Sequence, residues 1–260
     1  MTRSIPAGKQ VAFLILALGA SGIGGCDDAA APQPSGTVHL RFEHEVAGVP
    51  LVLQSDHYTN AAGLNYNVFD LRYYVSGIEL EKDDGTRVAG PEVFYVDESD
   101  STTEQATIGG VPAGHYRAVH FHFGLRPFEN IPGHLPNTLA SLLMQWPDEL
   151  GGGYHFMQLD GRYDRMGADA GWAAHLGRLN RPVDLSPLDP SFDVVVPVAL
   201  DVQDDRWSVP VIMDVNHWFN DPVYDFQVYG ANNMTNRDAL LALQSNGTDV
   251  FHAGGATREP

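Results

Sequence analysis

The hydrophobic and polar positions of this chain alternate in short runs. In Val38-His-Leu-Arg-Phe-Glu-His44, Val38, Leu40 and Phe42 alternate with polar residues, and His44 falls on their side. That period of two predicts a half-buried strand. Val68 to Glu81 reads as a long strand, closed by the turn Asp83-Asp84-Gly85-Thr86 before Arg87-Val88, with glycine at the left-handed position. Further strands are predicted at Pro91–Val96, Tyr116–Leu125, Tyr154–Leu159, Phe192–Val202 and Val209–Asp214, with Pro197 marking an edge or a bulge. Helical periodicity is confined to Asn137–Met144 and to Asn236–Leu243, where Asn236 is an N-cap. No repeat of solenoid or propeller period is present. The pattern predicts an all-β chain, one antiparallel β-sandwich with long loops and few short helices. The alternative is a β-domain with a C-terminal subdomain starting near residue 190.

The N-terminus departs from this pattern. Arg3 and Lys9 precede the apolar run Val11–Ala20, which has the length of a signal h-region and is short for a membrane span. Ile23-Gly-Gly-Cys26 follows, with the cysteine where lipoprotein cleavage falls. The expected organisation is a lipoprotein signal peptide over 1–25, a lipidated flexible tether over 26–36 and the sandwich over 37–260. Cys26 is the expected lipidation site, anchoring the chain to a membrane of the bacterial cell envelope, on the periplasmic or outer-membrane surface.

Cleavage leaves about 235 residues, enough for one large β domain or two small ones. The signal segment holds two basic and no acidic residues, so the formal charge moves from −18 to about −20. Such a balance excludes a phosphate-binding, nucleic-acid partner. With Cys26 the only cysteine, no internal disulfide can form.

Eleven histidines carry the candidate chemistry. Imidazole suits Zn, Cu, Fe and Ni, yet no His-Glu-x-x-His, Cys/His finger or EF-hand loop occurs. His120 and His122 share one strand face about 7 Å apart, a spacing that chelates or merely faces water. His155 lies on the apolar side of its strand, as a core histidine would. Gly171-Trp-Ala-Ala-His-Leu-Gly177 reads as a loop that brings Trp172 and His175 to one point, or as a packed aromatic beside a hydrogen-bonded histidine. The aspartate-rich turns at 83–84, 97–100, 160–164 and 201–205 are solvated turns or weak calcium sites. No nucleophile elbow or carboxylate pair stands out, so the chain reads as a non-enzyme.

A succession of short motifs resembles the MbnP-like family, exported copper-binding proteins associated with methanobactin operons. The likeness spans roughly 37–252 and runs through Tyr58-Thr-Asn60-Ala-Ala-Gly63, Asp70-Leu-Arg-Tyr-Tyr-Val-Ser76, Asp84-Gly85, Val111-Pro-Ala-Gly114 with Tyr116, and Phe123-Gly124. It continues through Trp146 before Gly153-Tyr-His-Phe-Met157, Trp172-Ala-Ala-His-Leu-Gly177, and Asp214-Val-Asn216 with Trp218-Phe219. The resemblance implies copper, Cu(I) or Cu(II), and a di-haem cytochrome c peroxidase-like partner that oxidises a tryptophan to kynurenine. Trp172 is the tryptophan it points to, with His175 as companion ligand and His44, His122 and His155 as candidates to join them. Trp146, placed at a helix end before Pro147, reads as packing; Trp207 reads as a strand-start anchor, and Trp218 beside His217 is the rival. The chain lacks the paired cysteines of a related branch and continues Leu176-Gly177 with Arg178-Leu179, which sets it outside that branch. Against copper handling stand a lipoprotein that binds a protein or glycan, with calcium in its loops, and a metal-dependent hydrolase.

Overall fold

A computed structural model describes residues 34–54, 58–181 and 185–260, all within one compact unit. The signal segment and Cys26 lie outside the described residues. Among the described residues, fourteen strands and three short α-helices make up the domain, with four 3-10 helices between them. In chain order they are β1 (Ser35–Val46), β2 (Val49–Pro50), β3 (Tyr58–Thr59), β4 (Asn65–Lys82), β5 (Arg87–Ala89), β6 (Val93–Asp97), β7 (Gln105–Pro112) and β8 (Gly114–Phe123). Then come α1 (Leu139–Leu143), β9 (Met157–Arg165), β10 (Ala168–Ala173), β11 (Phe192–Val202) and β12 (Arg206–Asp214). The chain closes with α2 (Phe226–Tyr229), α3 (Arg237–Asn246), β13 (Phe251–Ala253) and β14 (Thr257–Glu259).

One sheet runs β13-β12-β1-β2, with β7 also on β1 and β14 on β12; the other runs β10-β9-β4-β8-β11, with β3, β5 and β6 on β4. Alternation decides which face is inside. Val38, Leu40 and Phe42 of β1 are fully buried, as are Val209, Val211 and Met213 of β12. The two layers meet through aromatic rings, Phe42 lying 5.9 Å from Phe121 of β8 and 6.3 Å from Tyr73 of β4. This is the β-sandwich expected from the sequence. Because β11 enters the second sheet and β12 the first, no separate subdomain begins near 190.

The sheets are not purely antiparallel: β1 and β12 pair in parallel, Thr37 opposite Arg206 through Glu45 opposite Asp214. Parallel neighbours need a long crossover, and most of the domain, β2 to β11, lies between these two strands. Pro197 interrupts the register of β11 against β8, as a ring without an N–H must. Strand β9 begins at Met157 rather than Tyr154, and β1 begins inside the segment expected to be tether. Helix α1 is capped by Thr138, whose side chain exchanges hydrogen bonds with Ser141, and α3 by Asn236 as expected. Strands β7 and β10 go unpredicted because their glycines and alanines blur the alternation.

Candidate metal centre

Two chain segments converge at the start of β9. After α1 the chain passes Trp146 and a turn through Gly151, Gly152 and Gly153, all with positive φ. It then returns so that the Trp146 amide donates to Gly153 O (3.0 Å) and the His155 amide to Met144 O (2.6 Å). Three successive left-handed residues are affordable only to glycine. From the other side, the chain leaving β10 runs beside β9: Ala174 N donates to Leu159 O (2.8 Å), Leu176 N to Met157 O (3.0 Å), and Phe156 N to Leu176 O (2.7 Å). The fully buried Asn233 clamps the His175 backbone, accepting from its N–H (3.0 Å) and donating to its carbonyl (2.8 Å).

The result is a stack of three rings. His175 and His155 meet edge to face at 5.1 Å, and His155 meets the Trp146 indole at 4.7 Å. The indole lies over Gly177, where a Cβ would run into it. His175 Nε2 donates to Asp160 Oδ2 (2.9 Å) and His155 Nδ1 to Met144 O (3.3 Å). With those nitrogens carrying the protons, each ring keeps a lone pair on its other nitrogen. Those nitrogens, His155 Nε2 and His175 Nδ1, are buried and without a hydrogen-bond partner among the described residues, as is Trp146 Nε1. Burial, reinforced by the neighbouring His175, pushes the His155 imidazole down from 6.5 to about 4, so it is neutral at physiological pH. Unpaired buried polar atoms are costly and rare. The neutral His155 ring and the unpartnered Nδ1 of His175 fit a low-coordinate, imidazole-seeking metal ion. Among the described residues, no group of three or more His, Cys, Asp or Glu forms a ready metal cage.

The other expected site residues lie elsewhere. Trp172 is in β10, not a loop, and is 1% exposed, as closed off as Trp146 at 2%, so the two differ in the partners of the indole nitrogen and not in exposure. Its ring stacks on Phe226 (4.5 Å, 5° between planes) and meets Tyr66 and Phe219, while its Nε1 donates to Asn67 O and Arg162 O, 3.2 Å each. His44 is bonded between Glu98 and Tyr73. His122 Nδ1 donates to Asp193 (2.8 Å) while its Nε2 is buried without a hydrogen-bond partner among the described residues, and its neighbour His120 lies against Glu81. Trp218 is buried, its Nε1 on Met213 Sδ (3.3 Å), and Trp207 sits under Arg258. Asp84, Asp97 and Asp100 accept from residues of their own turns. Of the five expected ligands, then, the structure brings together His155 and His175. Trp146, read from the sequence as packing, and Asp160, read as part of an aspartate-rich turn but placed in strand β9, join them. A surface cleft of about 560 Å³, lined by Gln54, Phe69, Arg162 and Asp169 among others, contains no histidine of the pair.

No curated protein sequence matches the chain. Among solved structures it is similar to MbnP from Methylosinus trichosporium, at 15% identity over 87% of this chain and 99% of that one, with a TM-score of 0.50, a likeness of fold alone. The family model for MbnP matches residues 35–236, which include both sheets' central strands and the imidazole pair, and on that match the chain belongs to the MbnP family.

Proposed function

We propose that this protein is an exported, lipid-anchored, non-enzymatic copper-binding protein whose site is built on His155, His175 and Trp146. The observation that carries the reading is the trio of buried, unpartnered nitrogens on adjoining rings. An intact indole nitrogen has no lone pair to give. Ring opening of Trp146 to kynurenine by a di-haem peroxidase-like partner would supply an aniline nitrogen, a third donor beside the imidazoles. Copper bound there is held by soft-to-borderline nitrogen donors, the set Cu(I) accepts at low coordination number. Trp172 lacks this setting because its nitrogen is already committed to two carbonyls. The export and anchor part of the reading rests on the Ile23–Cys26 pattern.

The deciding experiment is co-production with the di-haem partner, copper loading, desalting and metal analysis, with peptide mapping of the tryptophans. Stoichiometric copper and the mass change of indole opening at Trp146 are expected. The same change at Trp172, or calcium as the only retained metal, would overturn the site. Replacement of Cys26 by Ser is expected to release the protein from the membrane fraction.

A further inference from the structure

Tyr73 sits at the centre of the sandwich with no exposure, stacked on Phe123 (5.5 Å) and against Phe42 and Phe251. Its hydroxyl meets His44 Nε2 at 2.9 Å, and His44 Nδ1 meets the carboxylate of Glu98 in a short contact. The His44 side chain is fully buried, whereas the Glu98 side chain is 16% exposed. The proton positions follow from donor counting. The phenol has no other polar partner among the described residues, so it donates to Nε2, and Nδ1–H then donates to Glu98. A buried phenol is thus wired through one imidazole to a carboxylate that reaches solvent. Other buried tyrosines have no such base: Tyr66 meets Asn216 Oδ1, Tyr116 the Pro112 carbonyl and Tyr224 the Ala173 carbonyl. Tyr95 meets Asp97, but that carboxylate is already held by Arg72 and Ser99.

We propose that Tyr73 is a redox-active tyrosine, giving one electron to a high-potential, outer-sphere one-electron oxidant while its proton passes to His44. The step balances within the triad. The O–H bond of Tyr73 breaks, the oxidant gains the electron, Nε2 of His44 gains the proton, and Nδ1 of His44 passes its own proton to Glu98. A neutral tyrosyl radical, a neutral imidazole of the other tautomer and a protonated Glu98 remain. Burial, with the charges of Glu98 and Glu104, pushes the phenol well above the ordinary tyrosine range. It therefore does not ionise by itself, and proton and electron leave together. Oxidising equivalents reaching this domain settle at Tyr73 in preference to Tyr66, Tyr116 or Tyr224. The inference is independent of copper binding.

The test is flash oxidation of the full chain, without added copper, by photoexcited tris(bipyridine)ruthenium and an irreversible electron acceptor. The tyrosyl radical is read by electron paramagnetic resonance after rapid freezing. The radical signal should vanish in Tyr73→Phe. Radical formation should slow on the order of a hundredfold in His44→Gln and Glu98→Gln, the size of a general-base contribution. Glu98→Gln keeps the shape of the partly exposed end and decides the matter should Tyr73→Phe fail to fold. A radical that survives Tyr73→Phe at full yield, or a rate indifferent to both Gln variants, overturns the proposal.

Discussion

His155 and His175 stand edge to face, 5.1 Å between ring centres, each with one nitrogen bonded and the other buried and free. Both lone pairs are needed if the pair holds copper, because a single imidazole leaves the metal without a second strong donor. His155→Ala and His175→Ala should therefore each lose copper on desalting, while Trp172→Phe keeps it. Metal analysis of the three variants beside wild type checks this.

Asp160 fixes the tautomer of His175 by accepting from Nε2 at 2.9 Å. Asp160→Asn presents an amide that can orient either way, so the free nitrogen at Nδ1 is no longer enforced. Copper affinity should fall about 10- to 100-fold, the usual cost of losing such an outer partner. Competition with a chromogenic Cu(I) chelator measures the fall. Nitrogen-15 spectra of the metal-free protein should show the tautomer change directly.

The low affinity of buried His155 for protons makes it a pH liability. Its folded value, about 4, lies below the ordinary 6.5. Between those values the unfolded chain binds a proton that the folded chain refuses. The stability from keeping the ring neutral is therefore present in full above pH 6.5 and is lost as pH falls towards 4. The size is on the order of 3 kcal/mol. Urea denaturation at pH 7 and pH 4 should show wild type losing more stability than His155→Gln by about that amount.

Gly177 is the floor on which the Trp146 indole rests. Gly177→Ala puts a methyl group into that ring and displaces it from His155. The expected cost is about 1–3 kcal/mol for overpacking, seen in the denaturation midpoint. Copper retention should drop with it, since the third donor moves. An unchanged midpoint would mean that the indole has room to shift.

Strand β1 is legible in the sequence because its apolar residues alternate, β8 and β11 because β-branched and aromatic residues dominate them, and Pro197 announces its own bulge. Strand β10 is not legible: Ala-Asp-Ala-Gly-Trp-Ala offers one large side chain, and its identity as a strand comes from pairing with β9. The same limit governs the site. Burial of His155 can be read from its place beside Met157 and Leu159. Its meeting with His175 cannot, because that depends on residues 174–177 lying beside 156–159. Trp146 reads as a helix-end packing residue, and the orphaned nitrogen becomes visible only once Gly177 and His155 close over the ring. His44 shows the converse, a histidine on an apolar stripe that is committed to Tyr73 and Glu98.

The parallel pairing of β1 with β12 also sets the order in which the molecule can be completed. Vectorial synthesis releases Thr37–Glu45 long before Arg206–Asp214, so the first strand has its antiparallel neighbours early but waits for its longest partner until most of the domain exists. Contacts of such sequence separation are slow to form. The chain accordingly stays open along that edge of β1 through most of its elongation, and a truncation anywhere before residue 206 leaves the strand exposed rather than yielding a smaller sandwich.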